Sequence, residues 1–77
     1  MKGYDQFFAA VKENVSKSLA CFEISDEELN DYLKREEEQI EGAYEEYVNK
    51  EDAEHLTDDA CFAATVASVS MCLEYCY

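Results

Sequence analysis

Proline is absent from this chain of 77 residues, and its only glycines are Gly3 and Gly42. Few tight turns can be built from so little, which favours helices joined by short polar links. Basic residues are scarce as well: six Lys and Arg stand against nineteen Asp and Glu, for a net charge of −13. A body this acidic repels nucleic acid and anionic membranes, so direct binding to either is not expected, and its natural partner is a basic protein surface. The sequence has no glycine-rich phosphate loop. It also lacks the roughly 18 uninterrupted apolar residues that a membrane span requires. The apolar stretch from Phe7 to Val11 is followed by Lys12, Glu13 and Lys17, which break a signal-peptide core. A cytoplasmic location is therefore expected, where cysteines serve as thiols or metal ligands more often than as disulfides.

What the chain does have is acid in one place. Thirteen of the nineteen acidic residues lie between Asp26 and Glu54, opposed only by Lys34, Arg35 and Lys50, for a local charge of −10. Residues 1–25 are electrically balanced, and residues 55–77 carry −3 with no base. Low hydrophobicity with high charge is a signature of disorder. Here, however, ten aromatics and a regular apolar spacing oppose that reading. A chain of this length makes one small domain, residues 1–77, with a marginal core.

The apolar residues recur at three and four, the helical period. Helix one is predicted over about 4–21, with Tyr4, Phe8, Val11, Val15, Leu19 and Phe22 on its inner face. Helix two is predicted over about 26–49. Ser25 is its N-cap, Glu28 completes a capping box, and Ile24 with Leu29 forms a hydrophobic staple. Its seam is Leu29, Leu33, Ile40, Ala43 and Tyr47, with Tyr32 and Tyr44 beside it. Gly42 costs about 1 kcal/mol in that helix and marks a bend or break. Glu36 falls inside the seam and is expected to extend its long side chain to the edge. Helix three is predicted over about 58–75 behind the cap Thr57, with Phe62, Val66, Val69, Leu73 and Cys76 inward. The links are short, so neighbouring helices run antiparallel, and the expected fold is an all-α, up-down-up three-helix bundle.

Two surfaces stand out. On helix two, Glu27, Asp31, Glu38, Glu41, Glu45 and Asp52 project opposite the seam, with Tyr44 and Tyr47 at the edge as aromatic anchors. Asp31, Glu38, Glu45 and Asp52 recur every seven residues, about 10.5 Å of helix axis. A solvated helix face usually mixes signs, and here the lysines that would follow the glutamates are largely missing. On helix three, Ala60, Ala64, Ala67, Met71 and Tyr75 form an uncovered apolar strip, a candidate dimer or second interface.

The cysteines are Cys21, Cys61, Cys72 and Cys76, and His55 is the one histidine. Buried thiols are the favoured reading, since cysteine behaves as a small hydrophobe. Were zinc to bind, Cys21, Cys72 and Cys76 at one pole of the bundle would hold it; the spacing matches no established zinc module. No cofactor is expected. No nucleophile–base–orienter set is identifiable, so catalysis is not expected either. The composition points to a non-enzymatic binding module: an inhibitor or nucleic-acid-mimicking decoy that docks on a nuclease or another nucleic-acid-handling protein. Anti-CRISPR proteins use the same physics, and the chain is similar to them in size and charge alone. The alternatives are a structural or regulatory homodimer built on helix three and a small zinc-binding domain.

Overall fold

Two side-chain caps fix where helices begin. Ser25 Oγ accepts the Glu28 backbone N–H at 3.1 Å and opens α2 (Asp26–Arg35). Thr57 Oγ1 accepts the Ala60 N–H, also at 3.1 Å, and opens α4 (Asp58–Cys76). Each cap satisfies an N–H that the helix itself leaves unpaired, and each is followed by acids that suit the positive end of the helix dipole. α1 (Tyr4–Ser18) starts behind Gly3 without a side-chain cap, and α3 is Glu37–Asn49. This computed structural model describes residues 2–49 and 57–77.

Among the described residues four α-helices stand where three were expected, because the predicted helix over 26–49 is divided at Glu36. The cause lies in the apolar spacing. Leu29, Leu33 and Ile40 are buried, and an unbroken helix through them would carry the Glu36 carboxylate into the same seam. Instead the backbone leaves helical geometry there, at φ −100° and ψ 15°, and Glu36 ends only half-buried. Its carboxylate accepts the Gln39 side-chain amide at 2.7 Å. The hydrogen-bond ladder survives on both sides, with Glu36 N–H to Tyr32 O at 3.1 Å and Ile40 N–H to Glu36 O at 3.3 Å. Gly42, where the bend was expected, lies inside a continuous α3. A penalty of about 1 kcal/mol is small beside the burial of Ile40 and Tyr47 on the same helix.

α1 also ends earlier than its predicted limit at residue 21. After Ser18 the chain tightens into a 3-10 turn, Ala20–Phe22, closed by Glu23 at φ 55°. Side-chain contacts give the helix directions. Tyr32 Oη donates to Leu73 O at 2.7 Å, and the Tyr32 and Tyr77 rings lie 5.1 Å apart. At the other end Tyr47 bonds Asp58, and Tyr4 stacks edge-on against Tyr44 at 5.4 Å. α1 and α4 therefore run the same way, and α2 and α3 return between them. Among the described residues no helix is long and apolar enough to cross a membrane.

The core is shared by all four helices: Phe7, Val11 and Val15 from α1, Leu29 and Leu33 from α2, Ile40 from α3, and Val66, Val69 and Leu73 from α4. Three assignments change. Phe7, not Phe8, is the fully buried phenylalanine of α1; its ring meets Tyr44, Phe62 and Tyr47 at 5.5, 5.7 and 6.3 Å. It occupies the point where α1 faces α3 and α4 together, whereas Phe8 is half-buried at the edge. Phe22, placed inward from sequence, is 62% exposed because the 3-10 turn rotates it out of the α1 phase. Cys76 is exposed in the last turn of α4, past the end of the core at Leu73.

Candidate functional site

The acids of α2 and α3 are held on formed helices and face solvent. Glu27, Asp31, Glu38, Glu41 and Glu45 are all exposed, and Asp52 lies outside the described residues. The break at Glu36 separates them into two groups with different company. Glu27 and Asp31 sit on α2, and Asp31 shares a shallow hollow with Glu28, Lys34, Arg35 and Tyr77. Arg35 also lies over the Tyr32 ring, 5.8 Å from its centroid. Acid and base are thus mixed on α2. Glu38, Glu41 and Glu45 sit on α3 beside Glu46, and α3 holds five glutamates and no lysine or arginine. Among the described residues, no carboxylate of α3 takes part in a salt bridge; the pairs found are Lys12–Asp26, Lys17–Glu13 and those of Lys2. The predicted row is therefore not uniform: its uncompensated part is the outer face of α3.

One glutamate of α3 is engaged internally. Glu37 accepts the Tyr4 hydroxyl at 3.2 Å. Burial, reinforced by this carboxylate, pushes the Tyr4 phenol up to about 12.

The two tyrosines expected as anchors are committed within the protein. Tyr47 is buried, and its hydroxyl donates to Asp58 Oδ1 at 2.5 Å while accepting the Lys2 backbone N–H at 2.9 Å. Tyr44 is half-buried and donates to Lys2 O at 3.0 Å. Tyr47 is thus a core residue rather than an edge anchor, because α4 covers it through Phe62, whose ring lies 5.5 Å away.

Sequence reasoning missed the residue that organises this end. Lys2 bonds both tyrosines through its backbone, extends Nζ to Asp58 at 3.3 Å and to Asp59, and lies over the Phe62 ring at 5.1 Å. The Asp59 hydrogen bond, with help from Asp58, holds the Lys2 ammonium above its ordinary pKa. The Tyr47 hydroxyl, then Lys2, hold the Asp58 carboxyl below the usual carboxylate range. The Asp58–Asp59 doublet after Thr57 was the available sequence signal, but it reads first as dipole complement to α4.

The expectation of buried thiols holds for one cysteine and fails for three. Cys61 is buried, while Cys21, Cys72 and Cys76 are exposed, and all four are free thiols. Cys21 is turned out by the 3-10 segment, Cys72 lines an open hollow beside α3, and Cys76 lies in the last turn of α4 past the core. Among the described residues, no three His, Cys, Asp or Glu side chains gather into a group able to hold a metal ion. His55 lies outside the described residues.

The outer strip of α4 is as open as its sequence suggested. Ala60, Ala64, Ala67, Met71 and Tyr75 are all exposed, Met71 by 57% and Tyr75 by 87%. Between this strip and the acids of α3 runs a groove of about 410 Å³, bounded by Gly42, Ala43 and Glu46 on α3 and by Ala64, Ser68 and Cys72 on α4. Comparison with known proteins adds no relative: no family model, no curated protein and no solved structure matches the chain.

Proposed function

We propose that the protein is a non-enzymatic binding module whose acidic helices dock on a basic protein surface. In its most concrete form it is an inhibitor that imitates nucleic acid and occupies the cleft of a nuclease or another nucleic-acid-handling protein of the cytosol. The observation that carries this reading is the outer face of α3, where Glu38, Glu41, Glu45 and Glu46 are exposed with no base on the helix and no salt bridge among the described residues. Thirteen residues span roughly 20 Å of helix, so the four exposed glutamates of α3 present about one carboxylate per 5 Å, sparser than but of the same order as the ~3.4 Å charge spacing of a single nucleic-acid strand. Like charges fixed on a helix repel one another, and a basic cleft relieves that repulsion on binding. A surface needed only for solubility does not require so complete an exclusion of lysine, a residue that would also relieve the repulsion.

The test is binding to a panel of nucleases and other nucleic-acid-binding proteins across a salt series, with duplex DNA as competitor. At least one should bind with affinity that falls steeply with salt, release on addition of DNA, and lose the protein when Asp31, Glu38, Glu41 and Glu45 are all changed to lysine. These four side chains are exposed, so the reversal should leave the helical circular-dichroism spectrum intact. Binding that survives the reversal removes the decoy reading.

A further inference from the structure

The groove between α3 and α4 has a feature that the chain's own packing does not explain. Gly42 sits in mid-helix, where glycine is about 1 kcal/mol less favourable than alanine. A Cβ built there meets nothing within 4 Å, and Gly42 is exposed. Among the described residues, no internal contact therefore requires the missing side chain. Across the groove, Ala64 and Ser68 are also small and also exposed. Small residues on both walls let a third helix bring its backbone close, and helix pairs pack at about 8–10 Å when the contact residues permit. From Ala64 to Cys72 the wall is about 12 Å long, or two helical turns.

The rims differ in charge. On α3, Glu46 lines the groove, and Glu38 and Glu45 stand on the adjoining outer face. On α4, Ala64 and Ser68 line the groove, Ala67 and Met71 are exposed on the same helix, and none of the four carries a charge. An occupant that matches both rims is apolar toward α4 and cationic toward α3. A second copy of this chain fits poorly, since its open helix, α4, contains no lysine or arginine to answer the glutamates.

We propose that this groove receives an amphipathic helix of the partner, seated over Gly42 and Ala64, with lysine or arginine along the flank that lies above α3. Helix-in-groove docking supplies the apolar anchor that the acidic face alone lacks, now that Tyr47 is accounted for in the core. The inference rests on the reading of α3 as a docking surface and adds where the partner enters.

The probe is a fluorescein-labelled 18-residue peptide with leucine and alanine on one helical face and lysine on one flank, beside a scrambled peptide of the same composition. Anisotropy should show the helical peptide binding at least ten-fold more tightly than the scrambled one. Gly42→Leu fills the groove with a better helix former, so its melting temperature should not fall. It should nevertheless cost at least ten-fold in affinity for the helical peptide and leave the scrambled one unchanged. Ala64→Arg, on the opposite exposed wall, should act likewise. Equal binding of the two peptides, or full binding by both variants, overturns the groove. If the Asp31, Glu38, Glu41 and Glu45 reversal still weakens both peptides in that case, the acidic reading stands and only the groove falls. If the reversal changes neither peptide's affinity, the acidic reading falls too. A native dimer in light scattering that Gly42→Leu converts to monomer would assign the groove to a second copy and overturn the proposal.

Discussion

α3 and α4 lie against the same core but treat their outer faces in opposite ways. α3 turns Ile40 and Tyr47 inward and glutamate outward, without a single base. α4 turns Val66, Val69 and Leu73 inward and leaves alanine, serine and methionine facing water. Folding constrains the inner faces, which must fill one shared volume. It places little demand on the outer faces, where an ordinary soluble helix mixes charges of both signs. The two departures, one entirely anionic and the other uncharged, border the same groove. That adjacency is what makes them readable as two halves of one recognition surface.

The comparison can be tested where the effects are largest. Ile40→Ala and Leu73→Ala should each cost about 2–5 kcal/mol in urea unfolding, because both side chains are fully buried and alanine leaves a cavity. A cost below about 1 kcal/mol for either would mean that its helix is not held by the shared core. Tyr47→Phe should cost about 1–3 kcal/mol, since the hydroxyl serves the Lys2 N–H and the Asp58 carboxylate together. It should also change the acid limb of the stability profile. The Asp58 pKa is lowered on folding, so its contribution is present above the ordinary carboxylate pKa and is lost as pH falls through the folded value. In Tyr47→Phe that loss should be smaller, which stability measured between pH 5 and pH 2 will show.

Smaller effects bear on the outer faces. Gly42→Ala should raise stability by about 1 kcal/mol, as the added methyl meets open space. A fall instead would show that the space over α3 is not free. Met71→Ser and Ala67→Ser, on the exposed side of α4, should each stay within about 0.5 kcal/mol of the native protein. A larger loss that grows with protein concentration would place the strip in a contact between copies.

Much of the fold was legible in local signals. The caps Ser25 and Thr57 both form, because capping depends only on residues within one turn. The seam of Leu29, Leu33, Ile40 and Tyr47 is buried as its period predicted. What failed depended on three dimensions. Gly42 drew attention because its penalty is visible in one residue, but the helix divides at Glu36, whose cost arises only where the seam meets the core. Phe7 and Phe8 are neighbours in sequence, and only the joint position of α3 and α4 selects Phe7. The exposed acids and the open strip of α4 were legible as faces. Their shared groove was not, since it depends on how two separate helices meet. Lys2 was missed for the same reason: its hydrogen-bond partners lie 42 to 57 residues away along the chain.

The contacts gathered by Lys2 also bear on chain architecture. Tyr47, near the end of α3, is bonded directly to Asp58, at the start of α4, and Lys2 braces both. The covalent connection between these helices is thus duplicated by a noncovalent one at its own endpoints. Because lengthening a connection costs only about 0.6 kcal/mol per doubling, a tag or reporter domain inserted between Asn49 and Thr57 should leave this bridge formed. The bridge would keep the two helix ends in register around the insertion, and the face formed by α3 and α4 would be carried unchanged into the fusion.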